Sequence, residues 1–139
     1  MIDRAEHFPD GVIHGFTDRL GGVSVGRFES LNMGGRWGDD PAAVAENLRR
    51  VAAVGGFSVE QLRRARQVHG AAVLAAREVG EGSEGDAVWV RRGDGLVAGV
   101  MSADCVPVLL VDRAGTVAAA VHSGWKGTVA DIAGATVRV

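Results

Sequence analysis

The sequence predicts a mixed α/β fold (α/β or α+β) in a single domain, and three observations carry that prediction. Four short runs, "DAVWV", "LVAGVMSA", "VPVLLVD" and "TVAAAVHS", are apolar at consecutive positions instead of alternating, as strands covered on both faces are. The segment from Asp40 to Gly56 has the start, stripe and stop of a helix. Turn signals at "RRGDG" and "DRAG" separate the strand-like runs, and 139 residues fit one domain with a sizeable core.

Taken in order, "GVIHGFTDRLGGVSVGRFESLNMGG" reads as a short extended segment followed by irregular, glycine-rich loop. Asp40 then caps a helix with Pro41 at its first position and Val44, Leu48 and Val51 on one face, and Gly55-Gly56 ends it. Ser58 and Gln61 have capping-box spacing, which predicts a second, short helix through about Arg64. "RQVHGAAVLAA" is expected to be extended, and the four apolar runs follow it. "GTVADIAGATVRV" reads as one helix that stops without a cap, so the chain is expected to be part of a longer protein.

Composition narrows the function. Hydrophobic residues at 47% and charged residues at 23% describe a globular chain, and a net charge of −2 offers no general attraction to nucleic acid or an anionic membrane. No apolar run approaches the roughly 20 residues of a membrane helix, and "MIDRAEHFPDG" lacks the form of a signal peptide, so the expected location is cytoplasmic. Cys105 is the one cysteine, so the thiol is core, nucleophile or ligand rather than half of an internal disulfide.

Several stretches suggest chemistry. "GEGSEG", at 80–85, matches a dinucleotide fingerprint in letters, but a strand rather than a helix follows it, and Glu81 and Glu84 would repel phosphate; it is a loop. "SGWKGT" lacks the order of a nucleotide P-loop, yet Gly124 to Gly127 and Lys126 could form a small anion site at the start of the last helix. Trp125 is expected to plug the core, with stacking on a ligand ring as the other use of its indole.

His69, Cys105 and His122 fall at or near predicted strand ends, where α/β sheets gather ligand sites. Two imidazoles and a thiolate suit zinc, with a further position for water or substrate. The same atoms could instead form a Cys105 nucleophile with a histidine base, and spacing alone leaves both open. Arg19, Arg27 and Arg36 are either solvated surface or phosphate contacts; Asn32 and Gln67 are polar beside small or apolar neighbours. Nothing around His7 or His14 argues for chemistry.

The motifs "HGFTDRLGGVS", "SLNMG", "GDDPAAVAENLRRV", "QVHG", "DAVWV", "SADCVPVLLVD" and "AAAVHSGWKGT" occur in an order that resembles the laccase-domain family, also called the polyphenol oxidase (YfiH-like), peptidoglycan-editing or purine nucleoside phosphorylase family. The resemblance runs from about His14 to Thr136. It implies a β-sheet sandwich flanked by helices, of which residues 1–139 would be the N-terminal part of one domain. It also implies one metal, zinc or else copper, on His69, Cys105 and His122, which would serve as both metal and catalytic residues. Arg19, Asn32, Gln67 and Lys126 become candidate substrate contacts, and purine nucleoside and phosphate the expected partners.

The activities implied are phosphorolysis of adenosine, inosine and methylthioadenosine, with adenosine deamination beside it. The alternatives are a cysteine hydrolase acting in peptidoglycan editing, a copper polyphenol oxidase, or a non-catalytic metal-binding module. Four histidines and one cysteine cannot build a multicopper relay. The usual zinc-deaminase signature is absent, and Asp104 is the carboxylate nearest in sequence to serve as a proton shuttle.

Overall fold

The computed structural model describes residues 2–139, which are mixed α/β and fall into two compact units. The first comprises residues 2–7 and Val12–Glu60. In it β1 (Ile2–Asp3) pairs antiparallel with β2 (Phe16–Thr17), and α1 (Pro41–Gly55) is the one long helix. The α1 boundaries follow local chemistry. The Asp40 carboxylate accepts from Ala42 N at 3.0 Å, Pro41 takes the first position, and Gly56 at φ 74° closes the C-terminus.

The inner face of α1 carries Val44 and Ala52 together with a buried amide, Asn47, which organises the preceding loop. Asn47 Nδ2 donates to Ser24 Oγ at 2.8 Å, to Asn32 O at 2.7 Å and to Ser30 O at 3.2 Å, while its Oδ1 accepts from Val23 N at 2.8 Å. An irregular segment without ladder partners thereby has its polar groups satisfied, as burial requires.

The second unit comprises Phe8–Gly11 and Gln61–Val139. Its main sheet has the order β4-β5-β8-β7, from β4 (Val73–Ala75), β5 (Ala87–Arg91), β7 (Val106–Val111) and β8 (Val117–Ser123). β4 runs parallel to β5, and β8 is antiparallel to both of its neighbours. A small parallel pair joins β3 (Leu62–Arg63) to β6 (Val97–Ala98). The centre of the unit packs Ala87, Val121 and Ile132 against Ala71, Val73, Val108 and Leu110. Full burial of a side chain such as Val121 or Ile132 contributes about 1.5–3 kcal/mol.

Three expectations need correction. The helix expected over 58–64 is a single 3-10 turn, Val59–Gln61, because the next residues enter β3 and pair with β6. The strand expected over "LVAGVMSA" shortens to β6. The last helix is divided into α2 (Trp125–Val129) and α3 (Ile132–Val137): Asp131 takes φ 57°, and its carboxylate caps α3 by accepting from Gly134 N at 3.1 Å. The 80–85 segment is a loop leading into β5, as expected. Among the described residues no helix is long and apolar enough to cross a membrane.

Candidate metal centre

Strand register assembles this site. Pairing of Ala87 with Val121 brings Asp86, just before β5, opposite His122 on β8, and His122 N donates to Asp86 O at 2.7 Å. On the other side of β8, Pro107 pairs with His122 and Val106 with Ser123, so Cys105 enters β7 beside the end of β8. His69 comes from the turn before β4 and holds a left-handed backbone at φ 60°. That conformation costs a non-glycine residue of order 1–3 kcal/mol and persists where surrounding contacts enforce it. One ligand atom from each of His69, Cys105 and His122 lies within 4.8 Å of the others. The two imidazoles meet edge to face, with centroids 4.8 Å apart and an interplanar angle of 85°.

The enforcing contacts come from Asp86, a residue whose role sequence reasoning missed. Its carboxylate is fully buried, at 0% exposure. Oδ1 accepts from His69 N at 2.9 Å and from His122 Nδ1 at 2.8 Å; Oδ2 accepts from Gly70 N at 2.8 Å and Val68 N at 3.2 Å. Burial opposes its ionisation, but the His122 hydrogen bond and the Gly70, Val68 and His69 N–H groups more than offset this and hold the carboxyl below its usual range. An ionised carboxylate only accepts, so His122 Nδ1 is the donor, which in the neutral imidazole leaves the lone pair on Nε2. Carboxylate support of this kind commonly orients metal-ligating histidines.

Cys105 has the opposite electrostatics. Burial first, then the Asp104 charge and hydrogen bond and the Asp86 charge, push its thiol above the ordinary value. An unaided cysteine nucleophile needs a depressed pKa, so these surroundings argue against a metal-free Cys–His hydrolase. A metal would itself favour the thiolate. The Ser102 hydroxyl donates to Cys105 O, and Gln67 clasps the start of this loop: Nε2 donates to Met101 O at 2.7 Å, and Oε1 accepts from Met101 N at 2.8 Å. Gln67 thus ties the irregular segment preceding His69 to the loop bearing Cys105.

Close approach requires glycine at position 124. A Cβ there would lie 2.9 Å from His69 Cδ2 and 3.2 Å from Cys105 Sγ. Gly127 is constrained as well, since a Cβ would come within 2.8 Å of Gly70 O. The "GWKG" glycines therefore let the start of α2 approach the cluster and the Gly70 backbone closely.

The remaining candidates do other things. In the first unit, Arg19 donates through Nη2 to Glu29 O at 2.6 Å and through Nε at 3.2 Å. Asn32 Nδ2 donates to Asp39 Oδ2 at 2.8 Å and to Gly34 O at 3.1 Å, and its Oδ1 accepts from Gly34 N. Arg27 donates to Trp37 O at 3.0 Å and stacks on Phe28, while Arg36 lies exposed in a 3-10 turn. In the second unit Lys126 is exposed, its Nζ 5.6 Å from the centroid of the Trp125 ring. Trp125 is itself 73% exposed, which overturns its expected place in the core.

The donor set fits a single borderline-soft metal ion: two imidazoles, one thiol, an orienting carboxylate and a neighbouring position without a side chain. Comparison with known proteins agrees with this chemistry at the level of family. Residues 13–139 match the family model described as multi-copper polyphenol oxidoreductase laccase. A Deinococcus radiodurans protein named purine nucleoside phosphorylase is 46% identical over 126 residues, covering 91% of this chain and 49% of that protein. An Escherichia coli protein named purine nucleoside phosphorylase YfiH is 40% identical over 129 residues, covering 93% and 53% respectively.

The solved structure of a Neisseria meningitidis protein superimposes with a TM-score of 0.81 at 38% identity, covering 89% of this chain and 50% of that one. YlmD from Geobacillus stearothermophilus gives 0.81 at 35%, covering 88% and 49%. The chain thus spans about half the length of the relatives it matches. On the family match and these identities, the chain belongs to the laccase-like (YfiH) family whose relatives include the named purine nucleoside phosphorylases.

Proposed function

We propose that this chain carries the metal-ligand portion of a zinc-dependent purine nucleoside phosphorylase. Its substrates are adenosine, inosine and methylthioadenosine with phosphate, its products the free base and the ribose 1-phosphate, and deamination of adenosine is a companion activity. The observation that carries this reading is the His69–Cys105–His122 cluster with Asp86 behind it. The names of the relatives supply the substrate class. Zinc is favoured because two imidazoles and a thiol form its ordinary ligand set, and His69, Cys105 and His122 would hold it.

A zinc ion bound there supplies Lewis acidity, polarising an oxygen or nitrogen of the substrate. The remaining work falls to the chain. In phosphorolysis a phosphate oxygen bonds to C1′ as the C1′–purine nitrogen bond breaks, and the departing base takes a proton. Lys126, exposed on the helix that follows His122, offers an ammonium to phosphate. Trp125 presents an exposed indole suited to stack on a purine. Gln67 keeps the His69 and Cys105 segments together through Met101. Asp86 keeps the His122 lone pair available.

The test is zinc-loaded protein incubated with adenosine, with and without phosphate, products being separated chromatographically. Adenine and ribose 1-phosphate formed only when phosphate is present support the phosphorylase; inosine formed without phosphate reports the deaminase. Zinc uptake with neither product would sink the enzymatic reading and leave a metal-binding module.

A further inference from the structure

We propose that Asp86 is the positioning residue of the metal centre, holding His122 by its ring and His69 by its backbone, so that two of the three ligands are set before an ion arrives. This rests on the metal reading above. Asp86 is not itself placed as a ligand. Its two oxygens are engaged by His122 Nδ1 and by the N–H groups of Val68, His69 and Gly70, and no part of it reaches solvent.

The arrangement exceeds what fold alone requires. Closing the 68–70 turn needs an acceptor for three backbone N–H groups, and a carboxylate meets that need without any histidine. Oδ1 nevertheless serves His69 N and His122 Nδ1 together, linking two segments distant in sequence at the point where their imidazoles meet. The turn that Asp86 gathers is also the one with His69 at φ 60°. Preorganisation of this kind lowers the reorganisation needed on binding. Cys105, on the separate loop clasped by Gln67, then completes the set.

The test uses the whole chain and zinc alone. Zinc affinity is measured by competition with a chromophoric chelator for wild type, Asp86→Asn and His122→Ala, with circular dichroism to verify folding. Asp86→Asn keeps the size of the side chain but removes the acceptor that serves Gly70 and Val68 or the one that serves His122, and zinc affinity should fall about ten- to a hundredfold. The metal-free wild type also reports directly. With ¹⁵N-labelled histidine at a pH above the imidazole range, His122 should be found as the Nδ1–H tautomer.

An Nε2–H tautomer of His122 in the folded wild type overturns the proposal, and this readout needs no variant to fold. Zinc binding in Asp86→Asn within about twofold of wild type, where outer-shell losses are ordinarily larger, overturns it too. If His122→Ala has meanwhile lost its zinc, the metal reading stands and only the role of Asp86 falls. If wild type binds no zinc, the metal reading fails first.

Discussion

His122 and Asp86 are joined twice: the His122 backbone N–H donates to Asp86 O at 2.7 Å, and its ring Nδ1 donates to the Asp86 carboxylate at 2.8 Å. Sheet register and ligand orientation are therefore one constraint. A slip of one residue between β5 and β8 would separate both contacts and turn His122 to the opposite face. The buried run before His122 makes such a slip expensive, since Val121 lies in the core at 0% exposure.

Gly124→Ala tests how closely the cluster is covered. Gly124 has φ −70° and ψ 168°, which alanine adopts freely, so any effect arises from contact and not from backbone strain. The added methyl would sit 2.9 Å from His69 Cδ2 and 3.2 Å from Cys105 Sγ. The variant should fold but lose about 1–3 kcal/mol, as overpacking does, and bind zinc measurably more weakly in chelator competition. Gly80→Ala, at an open position, is the control and should match wild type. Equal zinc affinity in the two variants would show that the cluster has more room than the structure gives it.

Asn47→Ala addresses the first unit. The substitution leaves Val23 N without its side-chain acceptor and removes the donor that serves Ser24 Oγ, Ser30 O and Asn32 O, around a side chain that is itself fully buried. Each stranded buried group costs about 1–3 kcal/mol, so a loss of roughly 3 kcal/mol or more is expected by urea denaturation. A loss below about 1 kcal/mol would mean that water reaches the loop and replaces the amide.

What could be read in the sequence divides along local and non-local lines. The α1 boundaries were legible because Asp40, Pro41 and Gly56 act within a few residues of one another. β7 and β8 were legible from unbroken apolar runs with the "DRAG" turn between them, where Gly115 takes φ 64°. Ser58 and Gln61 misled because capping-box spacing serves a single 3-10 turn as well as a helix, and the pairing of β3 with β6 is settled more than 30 residues away. The ligand types drew attention to His69, Cys105 and His122. Asp86 stayed hidden because a carboxylate at the head of "DAVWV" acquires meaning only once strand register sets it opposite His122.

Trp125→Ala tests the correction to the tryptophan. With 73% of its surface exposed, the indole should contribute little to stability, and its removal should change unfolding free energy by no more than about 0.5 kcal/mol. If the ring stacks on the purine, KM for adenosine should rise in the same variant while the melting temperature holds. A loss of several degrees in Tm with KM unchanged would return Trp125 to a structural role.

Acid should weaken the first unit through Asp39 and Glu46. Asp39 is held below its usual range by the Ser24 hydroxyl, against the opposing effect of burial, and further by Asn32 and Asp40 N; Glu46 is lowered to about 2 by Arg49 and Arg50. Both folded-state values lie below the unfolded ones, so between them the unfolded chain binds more protons and stability rises with pH. The contribution is complete above the ordinary carboxyl range and disappears as pH falls through it toward 2. Melting temperature should therefore decline from about pH 5 downwards, where unfolded carboxyls begin to protonate. The Glu46 pairs, at 2.7 and 2.8 Å on an exposed helix face, should yield to salt near 1 M, where screening acts over about 3 Å. Asp39, bonded to Ser24 Oγ at 2.6 Å and Asn32 Nδ2 at 2.8 Å, should keep its share of the slope in salt and lose it in Asp39→Asn. An acid slope unchanged by both treatments would place the responsible carboxylates elsewhere, with Asp86 and Asp112, each also lowered, the next to test.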